Sequence, residues 1–288
     1  MSPISHYHSR GLVWPFLQSA VGHCREFIQS SAYRKLQQVA ILNRGKKRHE
    51  PGAIHYQGKS IRYIDLHSFL YAWDDIMVKS IYDIGEVDQP YLIDCGANIG
   101  LAQCYWKIRY QNFSSICFEP DKLAFTTLHQ NLQAWQCTTK AHQAALGASD
   151  TQAQFVAAGA DAGHLLANGE DAVTEWVPIK RLSSYLDRPV DLLKIDIEGA
   201  ECEVLEEIKN QLHLVKRIFI ECHDHHDRPQ KYAHILRLLD ESGFRYYTVP
   251  GHGSEAPFSA IHLTSDGFDQ NTHIFAIKPA YLQKVHNT

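Results

Sequence analysis

The stretch YLIDCGANIG, Tyr91 to Gly100, constrains this chain more than any other part of it. A short apolar run leads to Asp94. Two glycines follow, Gly96 and Gly100, with Asn98 between them. The pattern predicts a strand that ends at Asp94 and turns sharply into a helix beginning near Ile99. Gly96 can take a backbone conformation closed to other residues, and Gly100 lets helix and strand pack closely. Asn98 tolerates the left-handed region. A dinucleotide fingerprint needs glycine at positions 98 and 101, where this chain has Asn98 and Leu101, so a pyrophosphate is not the expected ligand.

From Tyr91 onward, short apolar strands alternate with helical segments, which implies βαβ units. The predicted strands are YLIDC, SICFE, AHQAAL, DLLKI, RIFIE, RYYTV and HIFAI. The predicted helices follow Gly100 and cover Asp121–Trp135, Ala200–Leu212 and Pro229–Ser242. AQFVAA and EWVPI predict a small extra hairpin. The expected fold is α/β, a doubly wound and mostly parallel seven-stranded sheet with ligands at the carboxyl ends of its strands. Before it lies a less regular region: a helical pattern over Pro15–Leu42, a basic loop Asn43–His49, a hairpin Ile54–Ile64 around Gln57-Gly58, and a helix Phe69–Tyr82. The division expected is an N-terminal extension, 1–88, and an α/β domain, 89–288.

Bulk properties exclude some partners. The formal net charge is −4, so nothing global favours nucleic acid or an anionic membrane. The seven cysteines include no C-x-x-C pair and several sit in apolar runs, as free thiols in a reducing cytoplasm do. No apolar run is long enough to span a bilayer. Gly11–Gly22 has some character of a signal-peptide core, but Pro15, Gln18 and a weak cationic start argue against cleavage. The basic loop Asn43–His49 reads first as a solvated loop and second as a contact to a membrane surface.

Two constellations carry chemistry. In FEP, Glu119 ends a strand where a carboxylate can accept from both hydroxyls of a ribose. Asp94 would favour a cationic group nearby. A ligand with an adenosine ribose, no phosphate and a positive amino-acid tail fits both, and S-adenosylmethionine is such a ligand. Singly, each residue has a plainer reading: tight turns for the glycines, a helix cap for Asp94, a solvated strand end for Glu119.

The second constellation is VDLLKIDIEGAECEVL, Val190–Leu205, with FIECHDHHD beyond it. Asp196 and Glu198 alternate off a strand end and share a side if the extended conformation persists, as does Lys194. Glu221 and His223 end the next strand. A hydroxyl nucleophile needs a base, and the candidates in order are Asp196, His223 and Glu198. Each could instead serve locally, Asp196 on the cofactor amine or Glu198 on Lys194. Glu221, His223, His225 and Asp227 are good ligand types, but they crowd one loop, and no metal is expected.

The segments LIDCGANIG, FEPD, AALG, VPIKRLSSYL, VDLLKIDIEGAECEVL and IFIECH occur in the order that resembles FkbM-type methyltransferases. The resemblance covers roughly Tyr91 to Ile277. It implies a class I methyltransferase fold and S-adenosylmethionine-dependent O-methylation of a small molecule, sugar, glycan or glycolipid. It also implies cofactor contacts at Asp94, Gly96, Asn98, Gly100 and Glu119, and one near Ala145. Asp196 matches the acidic position after the fourth strand that faces methyl donor or substrate. The extension would pack over the cofactor cleft or contribute to the acceptor site. The alternatives are a nicotinamide-dependent oxidoreductase, a metal-dependent enzyme using the His-rich loop, and a binding module without turnover.

Overall fold

In a computed structural model of the chain, residues 30–156, 164–165, 174–226, 228–252, 258–259 and 268–282 are described. Gly11–Gly22, Cys24 and Asp227 lie outside them. Ser30 caps α1 (Ser31–Leu42), its hydroxyl accepting from the Tyr33 amide at 3.1 Å. β1 (Gly52–Tyr56) and β2 (Lys59–Tyr63) form the expected hairpin, in which Gln57 and Gly58 have φ of 51° and 76°. Two successive positive φ values match the twist of the paired strands. Asp65 caps α2 (Leu66–Trp73), accepting from the Ser68 amide at 2.9 Å. α2 then runs into a π-helical turn, Asp74–Val78, which buries the consecutive Ile76 and Met77. The sequence pattern predicts this helix at Phe69–Tyr82; the Asp65 cap starts it earlier and the π turn ends it at Val78.

The α/β part begins with β3 (Tyr91–Cys95), α3 (Leu101–Tyr110), β4 (Ser114–Phe118), α4 (Lys122–Trp135) and β5 (Thr139–His142). Next come β6 (Ala145–Leu146), β7 (Thr151–Val156), β8 (His164–Leu165) and β9 (Thr174–Lys180). The chain ends with β10 (Leu192–Ile195), α5 (Glu201–Glu207), β11 (Arg217–His225), α6 (Tyr232–Glu241), β12 (Arg245–His252) and β13 (Phe268–Ile277). The large sheet has the order β12-β13-β11-β10-β3-β4-β5. β13 is antiparallel to both neighbours, and the pairs from β11 to β5 are parallel. This is the doubly wound, mostly parallel seven-stranded sheet that the sequence predicts. β10 is buried at every position and β3 at four of five, as strands covered on both faces must be. Winding reverses between β3 and β10, and a crevice opens at such a switch point.

Three local expectations change. The strand predicted over AHQAAL breaks after His142, because Ala145–Leu146 leaves the large sheet to pair with β9. The hairpin of β7 and β9 is present and grows into a four-stranded sheet, order β6-β9-β7-β8. The helix predicted to Leu212 stops at Glu207, and a 3₁₀ segment Lys209–Leu214 replaces its end.

The described part of the extension shares one hydrophobic core with the sheet. Ile61, Phe69 and Trp73 pack in the same cluster as Leu92, Trp106 and Phe219. Each such side chain contributes about 1.5–3 kcal/mol by leaving water. The Trp73 indole donates to the Ala32 carbonyl at 2.9 Å, so its one polar atom is paired. Asn131 of α4 ties the two parts together: its amide nitrogen donates to the carbonyls of Ile99 (2.8 Å) and Arg62 (3.0 Å), and its oxygen accepts from the Arg62 amide at 2.8 Å. No helix among the described residues is long and apolar enough to cross a membrane.

Asn131→Leu keeps the volume and leaves those backbone groups unpaired at a buried position. It is expected to lower unfolding free energy by about 1–3 kcal/mol, read as a lower urea midpoint at unchanged slope. An unchanged midpoint would show that the hairpin is held by packing alone.

Candidate functional site

The turn after β3 is built around its two glycines. Gly96 has φ +80°, and a β-carbon there would stand 1.7 Å from the Asp196 carbonyl oxygen. The turn after β3 and the end of β10 therefore touch through their backbones, and only glycine allows it. Gly100 has φ +80° and faces Leu128 of α4, so its task is helix packing. Asn98 takes the left-handed region, with φ 48°. Its amide donates to Glu119 Oε2 at 2.7 Å, and Glu119 Oε1 accepts from the Asp121 amide at 2.9 Å. Each carboxylate oxygen keeps a further lone pair. Burial pushes the Glu119 carboxyl up to about 7, against the pull of those two amides. Ala145 turns its side chain into the small sheet's core with Phe155, Val177 and Ile179, so what it offers a ligand is backbone. His142 ends β5 and stacks on Phe118 at 5.2 Å.

Asp94 is not at the surface of the crevice. It is wholly buried, and its Oδ2 accepts from the Gln103 amide nitrogen at 2.8 Å. Its other oxygen is 3.2 Å from Lys194 Nζ. Lys194, 3% exposed in the middle of β10, also lies 3.3 Å from Asp196 Oδ2 and donates to the Gly96 carbonyl at 2.7 Å. Burial alone would lower the Lys194 pKa; the two carboxylates outweigh it and hold the ammonium well above its ordinary value. Asp94 thus holds Lys194, which in turn contacts the Gly96 carbonyl and Asp196.

His223 sits in a ring of acids. Its Nδ1 is 3.0 Å from Glu201 Oε1, and its Nε2 is 3.4 Å from Glu198 Oε2 and 3.7 Å from Glu221 Oε1. Burial pushes the imidazole toward neutrality, but Glu198, Glu201 and Glu221 together hold its pKa well above the ordinary value. That shift favours the protonated ring, which donates rather than accepts. Glu198 is pushed well up, first by burial and then by Asp196 and Glu221, against the pull of His223. The extended backbone expected to carry Asp196 and Glu198 to one side does not persist: β10 stops at Ile195 and Glu198 has φ 52°. Both side chains still line the crevice, because the 196–200 turn is closed by Glu201 Oε1, which accepts from the amides of Gly199 (2.9 Å) and Ile197 (3.3 Å). Glu221 and His223 lie on a strand, since β13 pairs with β11 as far as His225.

A cavity of about 230 Å³ opens beside the Gly96 turn. Gly96–Ile99 form one wall, Asp196, Glu198 and Glu221 another, and Phe69, Asp75 and Tyr82 from the extension cover it. Tyr82 and Glu201 were absent from the sequence candidates. Glu201 had a signal, as an acid at a predicted helix start; Tyr82 had none. Lys194 had a clear one, a charge inside an apolar strand.

Comparison with known proteins places this geometry. The Methyltransferase FkbM domain matches residues 94–246, which include every site residue predicted from the sequence. "Methyltransferase 1" of Beauveria bassiana (strain ARSEF 2860) is 27% identical over 199 residues, covering 59% of this chain and 78% of that one. "Methyltransferase sdnD" of Sordaria araneosa is 26% identical over 215 residues, covering 60% and 81%. Among solved structures, a methyltransferase FkbM from Methylobacillus flagellatus KT aligns with TM-score 0.44 and 14% identity, over 84% of this chain and 58% of that chain.

The residues present fit S-adenosylmethionine: an open turn at the switch point, and a buried carboxylate at the end of β4 with lone pairs to spare. A ribose donates its hydroxyls best to a charged carboxylate. With Glu119 near 7, affinity for S-adenosylmethionine is expected to fall about tenfold from pH 8 to pH 6, because one proton must leave for binding. Calorimetry across that range checks it, with Glu119→Gln expected to flatten the profile. An equal slope in that variant would remove Glu119 from the ribose.

Proposed function

This chain belongs to the FkbM methyltransferase family, whose methyl donor is S-adenosylmethionine, and from that premise we propose that it O-methylates a hydroxyl of a small sugar-containing acceptor. The observation that carries this reading is the position of Asp196. Its carboxylate opens onto the same cavity as the Gly96 turn and is fixed from behind by Lys194. S-adenosylmethionine supplies a methyl on a sulfonium, already a good leaving group. What the chain must do is align an acceptor oxygen and deal with its proton.

Glu119 and the backbone of Gly96, Asn98 and Gly100 hold the adenosine end, with Ala145 contributing main chain. Asp196 either accepts the acceptor's proton or steers the hydroxyl toward the methyl. His223 and Glu198 flank it and shape the polar wall of the cavity. The acidic wall supports a polyhydroxylated acceptor, since carboxylates accept from several hydroxyls at once, and Phe69 and Tyr82 offer it apolar faces. That wall and the net charge of −4 argue against a nucleic-acid acceptor. The basic loop gives membrane contact little support: Lys46 bonds the Tyr63 hydroxyl at 2.9 Å and Arg48 pairs with Asp65 at 3.1 Å. Six free thiols among the described residues favour a reducing cytoplasm. Family membership displaces the oxidoreductase alternative.

Asp196→Asn keeps the shape and removes the charge. Single-turnover methyl transfer at saturating cofactor is expected to slow by about 10²–10⁴, while the cofactor dissociation constant moves less than about tenfold. A near-normal rate would take Asp196 out of the chemistry. Collapsed binding with a normal saturated rate would make it a cofactor ligand.

A further inference from the structure

The end of β10 and the end of β11 bring together a set of side chains that the proposed chemistry leaves only partly used. Ile195 pairs with Ile220, so the next residues, Asp196 just past β10 and Glu221 within β11, lie side by side. His223 follows Glu221 by two positions on β11 and therefore projects to the same face. One oxygen of Asp196, one of Glu221 and one ring nitrogen of His223 lie within 4.8 Å of one another. Octahedral coordination with bonds of about 2.1 Å places ligand pairs about 3 to 4.2 Å apart. The three atoms need only a small contraction to meet around one ion.

The surroundings are those of held ligands. Glu201 fixes His223 through Nδ1 at 3.0 Å, leaving Nε2 as the ligand atom. A carboxylate behind a histidine in this way orients the ring and raises its basicity toward a metal. Asn271 donates to Glu221 Oε1 at 2.7 Å, fixing the second ligand. Nε2 stands 3.7 Å from Glu221 Oε1 and 3.4 Å from Glu198 Oε2. The Glu221 separation exceeds an ordinary hydrogen bond and suits neighbours around a shared cation, with Glu198 beside that pair. Four carboxylates, of Asp196, Glu198, Glu201 and Glu221, gather here beside Lys194, His223 and His273. The expectation of no metal rested on ligands crowded onto one loop; this set is drawn from two adjacent strands and dispenses with His225 and Asp227.

We propose that Asp196, Glu221 and His223 bind one divalent cation of the manganese type, with positions left for two neighbouring hydroxyls of the acceptor. Two carboxylates and one imidazole suit manganese better than calcium or magnesium, which favour oxygen alone. The site's role rests on the methyltransferase reading; its existence does not. On the cation, an acceptor hydroxyl is positioned and made more acidic; as its oxygen takes the methyl from the sulfonium, which leaves as a neutral thioether, the hydroxyl proton passes to water, and Asp196 steers the hydroxyl by holding the ion.

Binding is tested without turnover. Mn2+ is titrated into the wild-type protein without S-adenosylmethionine, with the free ion followed by electron paramagnetic resonance. One saturable site is expected, weakened at least tenfold by Glu221→Gln and by His223→Gln. Electron spin echo modulation of Mn2+-loaded wild type is expected to show one imidazole nitrogen, absent in His223→Gln, a readout that does not depend on how well Glu221→Gln folds. No uptake at about 1 mM free ion, the weak limit for sites of this kind, or no nitrogen modulation, overturns the proposal. Calorimetry with S-adenosylmethionine on the same samples separates the two readings. Cofactor binding without Mn2+ binding removes the cation site alone. Mn2+ binding without cofactor binding keeps the site and removes the methyltransferase role.

Discussion

One buried ammonium group organises the centre of this protein. Lys194 lies within 3.3 Å of carboxylates from two strands and bonds the carbonyl of the turn between them. Two negative side chains at the carboxyl ends of adjacent parallel strands would repel each other out of water. The ammonium turns that repulsion into a clamp. It spans β3 and β10 across the reversal of winding, where no crossover helix can brace the crevice. Gly96 completes the joint, because its missing side chain lets the turn rest against the Asp196 backbone.

Around this clamp the charges are graded. Asp94 is buried and tied twice, so it supports. Asp196 has a quarter of its side chain exposed and faces the cavity, so it can meet a substrate. Glu198, Glu201 and Glu221 surround His223 and keep its proton in place in the metal-free protein. A cation at Asp196, Glu221 and His223 would displace that proton, so the same three carboxylates serve two charge states of one histidine.

The sequence made the scaffold legible and the roles less so. The strand-turn-helix at Tyr91–Gly100 was readable because φ > 0 is demanded of Gly96, Asn98 and Gly100, and few residues satisfy it. DLLKI and RIFIE were readable because fully buried strands are continuous apolar runs. The break of AHQAAL was not, since nothing local tells a residue which of two sheets will pair with it. Asp94 and Asp196 are both acids at strand ends and look alike in sequence; one is buried by α3 through Gln103 and the other is not. The extension resembled nothing, yet Tyr82 and Asp75 line the cavity, because packing against Phe219 and Trp106 is a long-range matter.

The π turn that follows α2 has a bearing on how this protein can diversify. A π turn holds one residue more than the α-helical turn it replaces, and loss of that residue would rotate everything beyond it by about 100°. Asp75 and Ile76 sit in this turn and line the cavity, whereas the Lys194 clamp and the Gly96 turn lie on the sheet and would not move. Insertion or deletion of a single codon could therefore present a different set of side chains to the acceptor while the methyl-donor side stays intact. The two sides of the cavity are thus carried by different stretches of the same chain.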